Sequence, residues 1–381
     1  MPLVLFFLNP AISLIVAFFM NIKKQKKVFN IFILLFSLYF GYSLTPYNKQ
    51  FDSYQIIQIF KNWTYLFPTF SDFLSEYIKF ENPFAKDLFE GCIFFIVHSF
   101  TDNYHFIFLF CALFFTVFKL LSFDFFLQHY RYNLTHICLT IFFFTSIPLF
   151  QINGFRYYTA AWVAIYATLK MYEDKNKKYI LLLLLTPFVH ISFLYYIITM
   201  AIAYVMVHRI NHKKILYLFL ISVFCGLIWD TLPNIKDIGD GVIGNMFNAY
   251  VNNDYKSEVD SAVEQSNFIR FFAPIKYLFY NWIVFILYIK SREVKQTNLI
   301  HILLVYLTFT NCVGFIPSMS RFFYVAYPII LYMLNKGVFY DKRFQKIVFI
   351  LPFVEMFSLY QTYTTLYPYV TPKNFLLNIL L

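Results

Sequence analysis

Long apolar runs separated by short basic clusters organise this chain. The runs fall near 3–20, 28–45, 104–124, 134–152, 157–172, 179–189, 191–207, 215–232, 271–289, 298–315, 322–335 and 347–360. A helix needs ~20 mostly apolar residues to cross the hydrocarbon core of a bilayer. The pattern therefore predicts an all-α, polytopic membrane bundle with about 11–12 spans, forming one transmembrane domain over 1–381. The first run has no basic stretch before it and no small-residue cleavage site, so it reads as a retained span rather than a signal peptide. The segments 46–103 and 233–269 are too polar to span and read as external loops. The end of the first, 88–100, is apolar but short, which suits an interfacial or re-entrant helix ending at His98.

The basic clusters set the orientation. They lie at 23–27, around Arg131, and at 175–178, 209–214, 290–295 and 336–346. The positive-inside rule puts them all in the cytoplasm. Both termini then lie outside, and the two external segments carry most of the acids. Between Lys178 and Arg209 the chain is too short for two full crossings, which need ~40 residues. The expected solution is a helical hairpin at 179–207, broken near Pro187 with His190 at its apex. Such a break at membrane depth is tolerated only inside protein or against a wet cavity. The alternative is one long tilted span, which reverses everything after 207.

Composition agrees with the pattern. The chain is 60% hydrophobic and 13% charged, against about 25% charged for soluble domains. Its aromatic share of 23% is read first as the codon bias of an AT-rich genome, with Tyr near span ends suiting an interfacial belt. The net charge of +11 lies mostly in short loops, so it argues for orientation and not for nucleic acid. The five cysteines are scattered without metal-ligand spacing and read as packing residues.

Ionisable groups at the ends or breaks of apolar runs are costly and are functional suspects. Arg156 opens one run, Arg321 opens another, and Arg270 and Lys276 enter a third. Under the predicted topology these cations share the outer level with His190, Asp52, Tyr54 and Glu90. Guanidinium groups bind phosphate oxygens as a two-pronged fork. A histidine near neutrality can take a proton from a hydroxyl. The set suits a phosphorylated lipid whose pyrophosphate leaves as a bond to carbon breaks. Each residue also has a plainer reading. The cations snorkel to the interface, His190 caps its helix break, Asp52 and Tyr54 are loop residues, and Glu90 favours a helix N-terminus. No phosphate-cradling glycine loop, H-E-x-x-H, G-x-S-x-G or D-x-D is present. A soluble activated-sugar donor therefore fits poorly, and a lipid-borne donor fits better.

Five stretches resemble the EpsG family, which is grouped with Wzy-type polysaccharide polymerases. They are Asp52 with Tyr54; Glu90 before its apolar turn, followed by Asn103 and Tyr104; Asn153, Gly154 and Arg156 with Ala160 and Ala161; His190 with Ser192; and Ser320 and Arg321 with Tyr324 and Tyr327. The chain departs from the family at Tyr157, where Gln often follows the arginine, and at Pro187 and Phe193, where small residues often flank the histidine. The resemblance implies a glycosyltransferase that polymerises oligosaccharide units carried on undecaprenyl pyrophosphate, at the outer face of the bacterial cytoplasmic membrane. In that picture Arg156, Arg321 and His190 are catalytic, and Asp52, Tyr54, Glu90, Arg270 and Tyr157 contact substrate. Arg156 and Arg321 bind pyrophosphate, and His190 orients or deprotonates the acceptor hydroxyl. No cofactor or metal is called for. Flippase and chain-length regulator proteins are the implied partners besides lipid. Two rivals stand: a flippase of lipid-linked glycan, and an acyltransferase, which would need access to a cytoplasmic acyl donor.

Overall fold

Apolar runs form helices here wherever the structure describes them. The computed structural model describes residue 6 and residues 10–45, 52–79, 87–228, 267–291, 297–314 and 317–366. Among these there is no strand. The helices are α1 (Pro10–Phe19), α2 (Lys26–Tyr42), α3 (Asp52–Lys61), α4 (Trp63–Leu66), α5 (Phe70–Lys79), α6 (Leu88–His98), α7 (His105–Gln128), α8 (Leu134–Ser146) and α9 (Phe155–Tyr172). They continue with α10 (Ile180–Leu184), α11 (Thr186–Val189), α12 (Phe193–Arg209), α13 (His212–Ile228), α14 (Asn267–Ile289), α15 (Thr297–Val313), α16 (Pro317–Ser320), α17 (Phe323–Tyr340) and α18 (Gln345–Leu366). Among the described residues, α7 is the one helix long and apolar enough to cross a membrane by length and composition; α6, α8 and α12 are shorter apolar helices.

The chain divides into two compact units, one holding 1–195 and 362–381 and the other 196–361. In the first unit α9 is the central element. Nearly every residue from Phe155 to Leu169 is buried, so it has no solvent face. It packs against α7 on one side and against α10 and α11 on another. Helices α2 and α7 pack closely because Gly41 lacks a side chain: a Cβ there would lie 2.5 Å from the Phe108 carbonyl oxygen. Helix α8 starts at Asn133, whose side chain accepts from the His136 amide at 2.9 Å. It stops at Ser146, before Pro148, and a 3-10 turn over Leu149–Gly154 leads into α9. The expected run 134–152 is therefore a shorter α-helix followed by that turn.

The segment 46–103 differs from expectation over 52–79, which is helical rather than loop, whereas the short apolar helix expected to end at His98 is present as α6 (Leu88–His98). Helices α3 and α5 are amphipathic enough to look polar in sequence, yet they bury one face. Trp63 lies 4.6 Å from Phe67, 5.2 Å from Phe73 and 4.9 Å from Phe94, ring centre to ring centre. The tip of the Phe73 ring abuts Gly91, where any Cβ would clash with it. The second external segment lies largely outside the described residues.

The interruption expected in 179–207 is present. Helices α10 and α11 end at His190, which is extended (φ −155°, ψ 119°), and α12 begins three residues later. Pro187 sits inside the short α11, close to its start, where the missing N–H costs nothing. In the second unit α13 packs on α15, and α14 packs on α17.

Candidate functional site

Arg156 lies in the first turn of α9, where the positive end of the helix dipole disfavours a cation. Carboxylates offset this. Arg156 Nη1 donates to Glu90 Oε2 at 2.8 Å and faces Asp87 Oδ2 at 3.2 Å. Asp52 is near enough for its charge to act on both Arg156 and Glu90. It reaches in over Gly154, where a Cβ would stand 3.8 Å from Asp52 Oδ2. Asp87 and Glu90 are almost fully buried, whereas the Arg156 side chain keeps 27% of its surface open. Among the described residues, Arg156 Nη2 and Nε make no hydrogen bond. The protein thus grips the guanidinium through one nitrogen, Nη1.

Asp87 links this arginine to the helix break. It sits at the N-cap of α6 but does not cap it with its side chain. Instead its Oδ1 accepts from the Ile191 amide at 3.2 Å, while Oδ2 faces Arg156. Beside that amide, His190 Nδ1 accepts from the Ser192 amide at 3.3 Å and lies 2.7 Å from Ser192 Oγ. An amide N–H can only donate, so Nδ1 is unprotonated and the imidazole proton sits on Nε2. Of the two roles expected of His190, this tautomer fits orienting and donating. Tyr157 packs edge-on against the His190 ring at 5.5 Å and tilted against Phe193 at 5.2 Å.

The structure therefore brings Asp52, Glu90, Arg156, Tyr157 and His190 into one neighbourhood of the first unit. Tyr54 is half-buried on α3, and its side chain makes no hydrogen bond among the described residues. Arg321 belongs to the second unit, half-buried in the turn between α16 and α17, with its carbonyl accepting from the Tyr324 amide at 3.0 Å. Arg270 lies on α14 of that unit, with its side chain outside the described residues. Lys276, on the same helix, is paired with Glu355 at 3.0 Å. Tyr280 also donates to Glu355, and Lys276 stands 5.1 Å above the Tyr327 ring.

Sequence reasoning missed two residues of the first unit. Asp87 falls in a polar stretch where an acid attracts no notice. Lys119 is a cation in the middle of the apolar run 104–124, which was a legible signal. Its ammonium donates to the Phe144 and Ile147 carbonyls at 2.7 and 2.9 Å, among the rings of Phe115, Phe144 and Trp162. It thereby satisfies carbonyls at the end of α8 and anchors the turn that delivers Arg156.

The sequence profile of the EpsG family matches residues 63–372, most of the chain. The chain belongs to the EpsG family. EpsG-like proteins are Wzy-type polymerases, so this is a membrane protein of polysaccharide biosynthesis with a polymerase-like role at the family level. No curated protein and no solved structure matches it. The matched part of this EpsG-family chain contains Asp87, Glu90, Arg156, His190 and Arg321, while Asp52 and Tyr54 precede it.

Proposed function

We propose that this EpsG-family protein joins oligosaccharide repeat units carried on undecaprenyl pyrophosphate, at the outer face of the bacterial cytoplasmic membrane. The carrying observation is the half-occupied Arg156 guanidinium beside the His190 break. A guanidinium held by carboxylates through one nitrogen is oriented in advance, and its free edge matches two phosphate oxygens. As the anomeric carbon–oxygen bond breaks, negative charge grows on the pyrophosphate, and a fixed cation stabilises that charge more than the starting state. His190 Nε2 donates a hydrogen bond to a substrate oxygen, with Ser192 and Asp87 fixing the ring and its backbone. Asp52, Tyr54 and Tyr157 line the path of the sugars. This reading calls on no metal.

Two substitutions test it. Arg156→Lys keeps the charge but loses the fork, and His190→Ala removes the Nε2–H donor along with the ring. Each is expected to shorten the surface glycan to single units while the protein remains inserted in the membrane. Long chains from both variants would remove these residues from the reaction. The material left in a deletion strain separates the polymerase from a flippase. Single units exposed outside support the polymerase, and units trapped inside contradict it.

A further inference from the structure

We propose that Glu90 is the base that takes the proton of the acceptor hydroxyl. This rests on the polymerase reading above and assigns its proton acceptor. Elimination among the groups in contact leads there. His190 accepts through Nδ1 and carries its proton on Nε2, so the ring offers a donor. Both oxygens of Asp87 are engaged, one by Arg156 and one by the Ile191 amide. Glu90 differs: Oε2 binds Arg156, but Oε1 is buried with no hydrogen-bond partner among the described residues.

A buried carboxylate oxygen without a donor is expensive, and folded proteins keep few of them. The cost makes sense if a ligand brings the missing donor. A sugar hydroxyl does so, and hydrogen-bonded to Oε1 it stands beside the guanidinium that holds the leaving pyrophosphate. One carboxyl group thus couples the two halves of the reaction. The hydroxyl oxygen forms its bond to the anomeric carbon, and its proton passes to Oε1. The bond from that carbon to the pyrophosphate oxygen breaks, and the electron pair leaves with the pyrophosphate. Glu90 then returns its proton to water. The charged and titratable groups that face Glu90 are Arg156 from α9, Asp52 from α3, Cys111 from α7 and Asp87 from its own helix start.

The test uses the full chain in lipid nanodiscs, with a synthetic undecaprenyl-pyrophosphate oligosaccharide as substrate. Elongation is followed across pH, and donor binding is measured separately. Glu90→Gln retains an oxygen for Arg156, so donor binding should hold while elongation falls roughly 10²–10⁴-fold. The acidic limb of the pH profile should disappear with it. Asp52→Asn is expected to keep that limb. Should Glu90→Gln not fold, Glu90→Asp serves, because it keeps the acid but draws it back by one methylene; the limb should persist with a lower kcat. Glu90→Gln elongating at the wild-type rate, Glu90→Asp with an unchanged kcat, or the limb vanishing in Asp52→Asn instead, would overturn the assignment alone. A wild-type protein that binds donor and never elongates it would overturn the polymerase reading together with this one.

Discussion

Arg156 shows how one residue is both costly and useful. Its place at a helix N-terminus is electrostatically poor, and only the carboxylates of Asp87 and Glu90 make it tenable. Removing one partner of such a buried pair costs about 3–5 kcal/mol. Arg156→Ala should therefore lower thermal stability as well as activity, whereas Arg156→Lys should separate the two effects. Lys119 offers a purely structural comparison. Lys119→Met should cost about 2 kcal/mol, because two buried carbonyls lose a charged donor; unfolding followed by tryptophan fluorescence in detergent measures it, and an unchanged midpoint would mean that water replaces the ammonium. Arg156, His190 and Glu90 were legible in sequence because an ionisable group in an apolar setting stands out. Asp87 was not, since its importance lies in two contacts to residues far along the chain, at 156 and 191.

The helices themselves were largely legible. Apolar runs predict them because a backbone removed from water must satisfy its own hydrogen bonds. Their limits were less so: α8 stops at Ser146, where Pro148 and the clasp by Lys119 end it. The stretch 52–79 was misread as loop because α3 and α5 bury only one face, and a half-polar helix without an evident partner resembles a loop in sequence. The tight approach of α2 and α7 gives a sharp prediction. Gly41→Ala pushes a methyl group into the Phe108 carbonyl and should cost about 1–3 kcal/mol by overpacking. Gly154→Ala, whose Cβ would meet Tyr158 at an ordinary 3.4 Å, should be stable by the same thermal measurement. Equal loss in both variants would contradict this packing.

For the whole molecule, family membership and helical architecture agree on a membrane protein of polysaccharide assembly. The basic clusters give the orientation proposed for it, with Arg156, His190 and Arg321 all reached from outside. Cysteines introduced at 156, 190 and 321 should each react with an impermeant maleimide added to intact cells lacking their outer barrier, and protection at any of the three would reverse that part of the topology. The central claim is chemical. The most direct measurement incubates purified protein with undecaprenyl-pyrophosphate-linked oligosaccharide alone and follows chain length together with released lipid pyrophosphate. The account predicts a ladder of repeat units with one lipid pyrophosphate released per bond formed, both lost in Arg156→Lys. Substrate left as single units by active, folded wild-type protein, or a ladder undiminished in the variant, would contradict it.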